Sequence, residues 1–244
     1  MKAKKERKQK SNILFKILVI AVFIAIIAVV INLAPNYIRK EIKDKMNVII
    51  NNNDVTTSIK FNAFVDEKDI VYIATKDIAN FFDEDIYYDN VYDQIITSSE
   101  TKLAVLPLNK KEIIVNGSNV KIYGSAIKKD NEFYLPFSEM NDIYNVEIKY
   151  NQESNILTID SLDREQKKAN ASKDINVKYK PTIFSKTIDK VKKGDSVIVI
   201  EDAENGWYKI RTKLGKIGYT KDITNIYTVR EQIETKKQIE GKVS

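Results

Sequence analysis

The sequence predicts a β-rich α+β protein in three parts: an N-terminal transmembrane helix, a duplicated ββ-βαββ unit and a small β-barrel. Three observations lead to this order. An apolar stretch of 21 residues lies near the N-terminus, and two similar segments follow at an offset of 62 residues. The only tryptophan and four of the seven glycines then lie close together near the C-terminus.

Residues 13–34 are predicted to cross a membrane once. The stretch from 13 to 33 is interrupted only by Lys16 and Asn32, and at ~1.5 Å per residue it spans ~31 Å, the thickness of a bilayer core. The basic segment 1–12 would stay in the cytoplasm and the bulk of the chain would be extracytoplasmic. This predicts a single-pass protein of the cell membrane, with the lipid bilayer as partner and a juxtamembrane spacer at 35–46. A cleaved signal peptide is the alternative.

The net charge of +6 belongs to this N-terminal segment. Seven cations and one anion lie before residue 17, and the other 33 cations and 33 anions of the chain cancel. A surface that binds the phosphates of a nucleic acid needs an excess of basic residues on the folded part of the chain. We therefore expect no nucleic-acid partner.

Residues 47–160 contain an internal repeat. DIVYIATKDIANFFDEDIYYDN (69–90) is similar to NEFYLPFSEMNDIYNVEIKYNQ (131–152), and VIINNNDV (48–55) is similar to IIVNGSNV (113–120). Each copy predicts two strands joined by a turn, then a strand, a short amphipathic helix and two more strands. The two copies are expected to pack as one domain, because half of it would bury too little apolar surface to fold alone.

Local signals support these elements. Asn116-Gly117 lies between alternating apolar residues and predicts a two-residue hairpin. Thr75 and Ser138 stand where their hydroxyls could cap the two helices. In each helix, apolar residues at i, i+3 and i+4 predict one buried face.

The arrangement of "DIVYIATKDIANFF" and "NEFYLPFSEMNDIY" around "KEIIVNGSNV" resembles the copper amine oxidase N-terminal-like domain. The resemblance covers about residues 47–160. It implies a non-catalytic stalk of the kind common on surface proteins of Gram-positive bacteria. The usual Asn-Gly turn of the first copy is "NNND" here.

Residues 161–174 are predicted to form a polar linker. Residues 175–228 are predicted to form a small antiparallel barrel. Short apolar runs in the second segment alternate with turns at Lys193-Gly194, Asn205-Gly206 and Leu214-Gly215. Closely spaced strands with glycine at the corners are typical of small barrels.

The segments "INVK", "KKGD", "NGWYKIR" and "GKIGYTKDIT" resemble a bacterial SH3 (SH3b) domain, an SH3-like β-barrel. The resemblance implies a cell-wall ligand, peptidoglycan, recognised chiefly through its peptides. The chain departs from the family at Lys178, where an arginine is usual, and at Tyr219, where a tryptophan is usual. Lysine does not replace arginine at a stacked or bidentate site.

Three side chains are candidates for ligand binding: Trp207, Tyr219 and Lys178. An aromatic ring beside cations suits a peptide that carries carboxylates. Trp207 has two interpretations, a core aromatic that closes the barrel or the wall of a groove. Strand alternation puts Trp207, Lys209 and Arg211 on one face.

Other catalytic or metal chemistry has little support. The chain has no cysteine and no histidine, which excludes thiolate metal sites and every scheme with a histidine base. The acidic run at 83–85 could serve a glycosidase or hold Ca²⁺, but it lacks the glycine of a calcium loop, and a solvated turn is favoured. We expect no catalytic residue, no cofactor and no metal.

The function predicted from these parts is non-catalytic: a membrane-anchored extracytoplasmic protein that presents an SH3-like module to peptidoglycan. One alternative follows from the polar segment 229–244. In clostridial proteins with a similar layout, a family-18-type glycosyl hydrolase often follows, so the chain could be the anchoring and targeting part of such an enzyme. A third possibility is a sensory or scaffolding ectodomain that binds another protein.

Overall fold

The computed structural model describes residues 45–230 and the isolated positions Val22 and Ala25. The described residues from Met46 onward belong to one compact unit. They form two β-rich modules that follow one another along the chain, the first module at 46–161 and the second module at 165–230.

The predicted α+β fold class with a transmembrane helix is wrong for the described residues. They are mostly strands, with two α-helices of seven and four residues between 45 and 230. No helix among the described residues is long and apolar enough to cross a membrane. The predicted membrane segment 13–34, apart from Val22 and Ala25, lies outside the described residues, as do 1–12 and 231–244. The single-pass membrane localisation and the bilayer as partner therefore have no support.

The first module contains thirteen strands, two α-helices and one 3-10 turn. The strands are β1 (Asn47–Ile50), β2 (Asn53–Asp54), β3 (Phe64–Val65), β4 (Val71–Ala74), β5 (Tyr87–Asp89), β6 (Gln94–Ser98), β7 (Leu103–Pro107), β8 (Glu112–Val115), β9 (Ser118–Lys121), β10 (Ile127–Lys129), β11 (Glu132–Pro136), β12 (Val146–Asn151) and β13 (Ile156–Ser161). The helices are α1 (Thr75–Phe81) and α2 (Asn141–Tyr144), and the 3-10 turn is Phe137–Glu139.

The internal repeat is visible as a pseudo-two-fold arrangement. β4 and β11 pair antiparallel in a sheet of order β10-β11-β4-β3, with Ile73 directly opposite Leu135. These two residues are equivalent in the repeat because they stand 62 positions apart. The axis that relates the two copies therefore passes between them.

The two outer sheets of the first module each combine strands of both copies. One sheet has the order β12-β13-β1-β2, and the other has the order β5-β6-β7-β8-β9. β1 pairs directly with β13 in parallel, whereas β7 is inserted between β6 and β8 in the second sheet. Each copy thus completes its sheet with strands from the other, which agrees with the expectation that half of the domain would not fold alone.

The helices differ from the sequence prediction at their first residues. Neither α1 nor α2 has a side-chain cap. The Ser138 hydroxyl instead accepts a hydrogen bond from the Val71 amide at 3.1 Å, across the pairing of the two copies. The predicted buried faces are confirmed for Ile78, Met140 and Ile143, which lie in the apolar core of the first module. Phe81, which was predicted to share the face of Ile78, is only half-buried.

The second module is a sheet of seven strands around its own apolar core. Its strands are β14 (Glu165–Ala171), β15 (Ile175–Lys178), β16 (Thr187–Val191), β17 (Ser196–Asp202), β18 (Tyr208–Arg211), β19 (Ile217–Thr220) and β20 (Ile223–Arg230). They are ordered β16-β15-β19-β18-β17-β14-β20. Val177, Val199 and Ile210 are among the buried residues that fill the core.

The residues predicted as a linker, 161–174, contain β14 instead. This strand pairs with β17 on one side and β20 on the other. Its buried residues are Gln166, Ala169 and Ala171. Such small or polar residues give the segment a low hydrophobicity although one of its faces is covered.

Candidate functional site

The central strands of the second module line up one row of side chains. In the antiparallel ladders, Lys178 lies opposite Tyr219, and Tyr219 lies opposite Lys209. The row continues to Thr187 beyond Lys178 and to Glu201 beyond Lys209. Directly opposed residues of a sheet point to the same face. These five residues, here called the Tyr219 row, therefore share one face.

The face of the Tyr219 row points away from the apolar core of the second module. Ile210 belongs to the core and Tyr208 packs against it, so Lys209, which alternates with them, points away from the core. The strands come close here because of Gly218: a Cβ atom at that position would lie 2.6 Å from the backbone oxygen of Lys178. A larger residue there would push β19 away from β15.

Two lysines are the cross-strand neighbours of Tyr219. Lys178 Nζ donates a hydrogen bond to the Thr187 hydroxyl at 3.1 Å. Lys209 Nζ lies 3.5 Å from a Glu201 carboxylate oxygen in a largely exposed ion pair. Each ammonium has three N–H donors, so these contacts leave donors for a ligand. The row therefore has one aromatic side chain, Tyr219, between two lysines, and the Glu201 carboxylate is a hydrogen-bond acceptor at one end.

Trp207 lies at one end of the same face. Its backbone is extended (φ −85°, ψ 146°), so the alternation of β18 continues to it and places it on the side of Lys209. It is thus a diagonal neighbour of Tyr219, at about 7–8 Å between Cα atoms. Trp207 is 8 % exposed, yet it is not among the residues of the second module's apolar core.

An internal cation covers the Trp207 ring. Lys221 Nζ lies 5.4 Å from the ring centroid and donates a hydrogen bond to the Asn205 carbonyl at 2.7 Å. The turn before the tryptophan needs left-handed backbone at Asn205 (φ 58°) and Gly206 (φ 73°), which explains a glycine at this position. Trp207 is therefore a buried wall of the row.

The loop after Lys178 exposes large apolar side chains beside the row. Tyr179, Ile183 and Phe184 are 59, 69 and 92 % exposed. The loop is closed by a hydrogen bond from the Tyr179 amide to the Lys186 carbonyl at 2.9 Å. Exposed apolar groups at the rim of a polar surface are typical of binding sites.

The other end of the face of the Tyr219 row is covered by the first module. Arg211 donates two hydrogen bonds to the Asp160 carboxylate, from Nη1 to Oδ1 at 2.9 Å and from Nη2 to Oδ2 at 2.5 Å. Their side chains are 4 and 6 % exposed. The Ser154 hydroxyl donates to the Leu214 carbonyl at 2.5 Å. The end formed by the Tyr219 row and Trp207 lies away from these contacts.

The acidic run at 83–85 serves a structural role. The Asp83 carboxylate accepts hydrogen bonds from the Thr97 hydroxyl and the Ser98 amide, both at 2.6 Å. The Asp85 amide donates to Asp83 at 3.1 Å, as in a turn. Among the described residues, no group of three or more acidic side chains is placed to hold a metal ion.

Comparison with known families agrees with both modules. Residues 49–159 match the model of the copper amine oxidase N-terminal domain, and residues 173–221 match that of the bacterial SH3 domain. The chain carries these two domains in this order. Both are non-catalytic modules. No curated protein matches the chain.

The bacterial SH3 domain is larger here than its matched segment. β14 lies before residue 173 and β20 lies after residue 221, yet both belong to its sheet. Neither match is a catalytic domain, so the family-18-type hydrolase stays a prediction.

The structure brings the three predicted binding residues of the bacterial SH3 domain onto one face. Lys178 and Tyr219 are direct neighbours, and Trp207 is diagonal to Tyr219. Strand alternation in the sequence places Lys209 on the face of Trp207 but does not identify it as a binding residue. The contact of Lys221 with the Trp207 ring was not predicted. The spacing of Trp207 and Lys221 in the predicted hairpin could have indicated it.

Proposed function

We propose that the SH3 domain of this chain binds peptidoglycan through its peptides, at the Tyr219 row. The observation that carries the proposal is the register that places Tyr219 between Lys178 and Lys209 on neighbouring strands. The match to bacterial SH3 domains, which commonly bind peptidoglycan, supports the ligand class.

The chemistry of the row fits such a peptide. Peptides of the wall carry carboxylates, and a carboxylate forms short charge-assisted hydrogen bonds with an ammonium group. Backbone and methyl groups of the peptide would stack on the Tyr219 ring. The exposed side chains of Ile183 and Phe184 would cover the apolar parts of the ligand.

Lys178 is a weaker anchor than arginine would be, because an ammonium group cannot form a bidentate pair with a carboxylate. Two lysines on either side of one ring compensate for this by contacting two oxygens of the ligand. Trp207 supports the row from one side and contributes shape rather than a free ring face.

The test is co-sedimentation of the full-length chain with purified peptidoglycan. A Lys178→Met/Lys209→Met variant should bind at least about tenfold more weakly, since hydrogen bonds to charged groups contribute about 1.5–3 kcal/mol each. The matched control is Lys110→Met/Lys121→Met, which removes the same charge from exposed positions of the first module. Equal retention of both folded variants would refute the proposal.

A Tyr219→Leu variant tests the stacking surface separately. It keeps both ammonium groups and a large side chain, so it should weaken retention without changing its salt dependence. Retention of Tyr219→Leu at the wild-type level would show that the ring is not part of the site.

A further inference from the structure

A cleft of about 500 Å³ lies within the first module, where the two copies of the repeat meet. Phe81 at the end of α1 and Ile143 of α2 both line it, and they are equivalent because they stand 62 positions apart. Phe82 and Tyr144 are equivalent in the same way, and their ring centroids are 5.6 Å apart. Both copies therefore build the cleft, and its lining is partly aromatic, as is common for ligand sites of this size.

Phe81 is the unusual residue of this cleft. It follows Ile78 by three positions, so both side chains lie on the same face of α1. Ile78 is fully buried, whereas Phe81 is only half-buried. The Phe81 ring meets the Phe82 ring edge to face, with 6.4 Å between the centroids. Part of the aromatic surface of Phe81 is therefore open toward the cleft.

The rim of the cleft carries more negative than positive charge. Its charged side chains are three carboxylates and one ammonium group: Glu100, Asp142, Asp163 and Lys102. The Lys102 ammonium group donates a hydrogen bond to the Asp142 backbone carbonyl at 2.6 Å. Within residues 45–230 it forms no ion pair, so none of the three carboxylates is paired with it.

Two of these carboxylates are available to a ligand. In the part of the chain that the structure describes, the side chains of Glu100 and Asp142 make no hydrogen bond or ion pair. The Asp163 carboxylate accepts a hydrogen bond from the neutral side-chain amide of Asn145 at 2.7 Å. Exposed carboxylates alone are ordinary on a protein surface. Here they line the same cleft as open aromatic surface, and both features attract an ammonium group.

We propose that this cleft binds a lysine side chain of a peptide. The ammonium group of the ligand pairs with the rim carboxylates, and its hydrocarbon stem lies against the rings of Phe81 and Phe82. A lysine side chain combines an apolar stem with a charged head, which matches a cleft with an aromatic lining and an acidic rim. The proposal does not rest on peptidoglycan binding at the Tyr219 row, which belongs to the other module.

The test is a titration of the ¹⁵N-labelled full-length chain with N-acetyl-lysine N-methylamide, followed by NMR. We expect saturable shifts of the backbone amide signals of residues 99–102 and 141–145. N-acetyl-norleucine N-methylamide has the same hydrocarbon stem without the ammonium group. It should bind at least about tenfold more weakly, because a charge-assisted contact is lost.

A Glu100→Gln/Asp142→Asn variant keeps the shape of both side chains but removes their charges. It should raise the dissociation constant of the lysine compound by about tenfold or more, without lowering the midpoint of unfolding, since no internal contact of these carboxylates is lost. Glu67→Gln/Glu112→Gln is the matched control: it removes the same charge from exposed positions of the first module and should bind the compound like wild type.

Two further variants test the parts of the site separately. Phe81→Leu removes the aromatic face but keeps a large apolar side chain, so it should raise the dissociation constant of the lysine compound about threefold or more. Lys102→Met removes the competing ammonium group at the rim, so it should lower this constant about two- to fivefold.

The proposal would be overturned by shifts that map outside the cleft, or by equal affinity of wild type for the lysine and norleucine compounds. Equal affinity of wild type and Glu100→Gln/Asp142→Asn for the lysine compound would overturn it as well. These outcomes are distinguishable from failure of the proposed function. Lys178→Met/Lys209→Met changes the Tyr219 row of the second module and should leave binding of the lysine compound unchanged.

Discussion

The buried ion pair between Arg211 and Asp160 should be the most sensitive point of the contact between the modules. A single substitution, Asp160→Leu, leaves the guanidinium group of Arg211 without a partner in a place where its side chain is only 4 % exposed. The reverse substitution, Arg211→Met, leaves a carboxylate that is 6 % exposed. Each should destabilise the protein because an uncompensated charge is held away from water.

The magnitude follows from this burial. Removal of one partner of a buried pair costs about 3–5 kcal/mol, whereas replacement of both by apolar residues of similar volume is often neutral or stabilising. We therefore expect each single variant to lose about 3 kcal/mol or more. The double variant Asp160→Leu/Arg211→Met should recover most of that loss.

Urea unfolding of the four proteins measures this directly, with the free energy of unfolding taken by linear extrapolation. Lys213→Met is the matched control, since Lys213 pairs with Asp195 at 2.9 Å on the surface, where the lysine is 66 % exposed. It should be inseparable from wild type. A loss below about 1 kcal/mol in both single variants, or a double variant no more stable than either, would refute the argument.

Three further outcomes follow from individual residues. Gly215→Ala should destabilise the protein by about 1–3 kcal/mol more than Gly194→Ala in urea unfolding. Both glycines have positive φ, but of the two only Gly215 would bring an added Cβ within 2.7 Å of a β13 side chain. Equal losses of stability in the two variants would contradict close packing of the modules. Burial raises the pKa of Tyr144 above the ordinary 10.0, so the folded state holds this proton while the unfolded state loses it above about pH 10. The free energy of unfolding should therefore fall as the pH rises beyond that value. The fall should be less steep in Tyr144→Phe than in wild type, and parallel pH profiles of the two proteins would contradict this. Lys221→Ala should expose Trp207, the only tryptophan, to water. A red shift of its emission and stronger quenching by acrylamide are expected, and an unchanged spectrum would count against the cover by Lys221.

The sequence allowed the repeat and the bacterial SH3 domain to be predicted because both leave local signals. An offset of 62 residues identifies the two copies, and it also identifies Ile73 and Leu135 as equivalent. That these two pair with each other could not be predicted, because a repeat does not specify how its copies meet.

The linker prediction was wrong for β14 because the residues that this strand buries, partly in the core of its own module, are not strongly hydrophobic. Ala169 and Ala171 are too small, and Gln166 too polar, to produce an apolar pattern. Two of the candidate site residues, Lys178 and Tyr219, lie directly opposite each other. The partner of Arg211 left no signal, since Asp160 belongs to the other module and the two are 51 positions apart.

The pseudo-two-fold pairing of β4 with β11 indicates what a shorter chain with one copy of the unit would need in order to fold. A chain with one copy of the unit would have the same edge strand available to a second molecule, and the two would close as a symmetric dimer. Its folding would then depend on protein concentration. Fusion of the two copies makes the symmetric partner part of the same polypeptide, so that this assembly forms at any dilution.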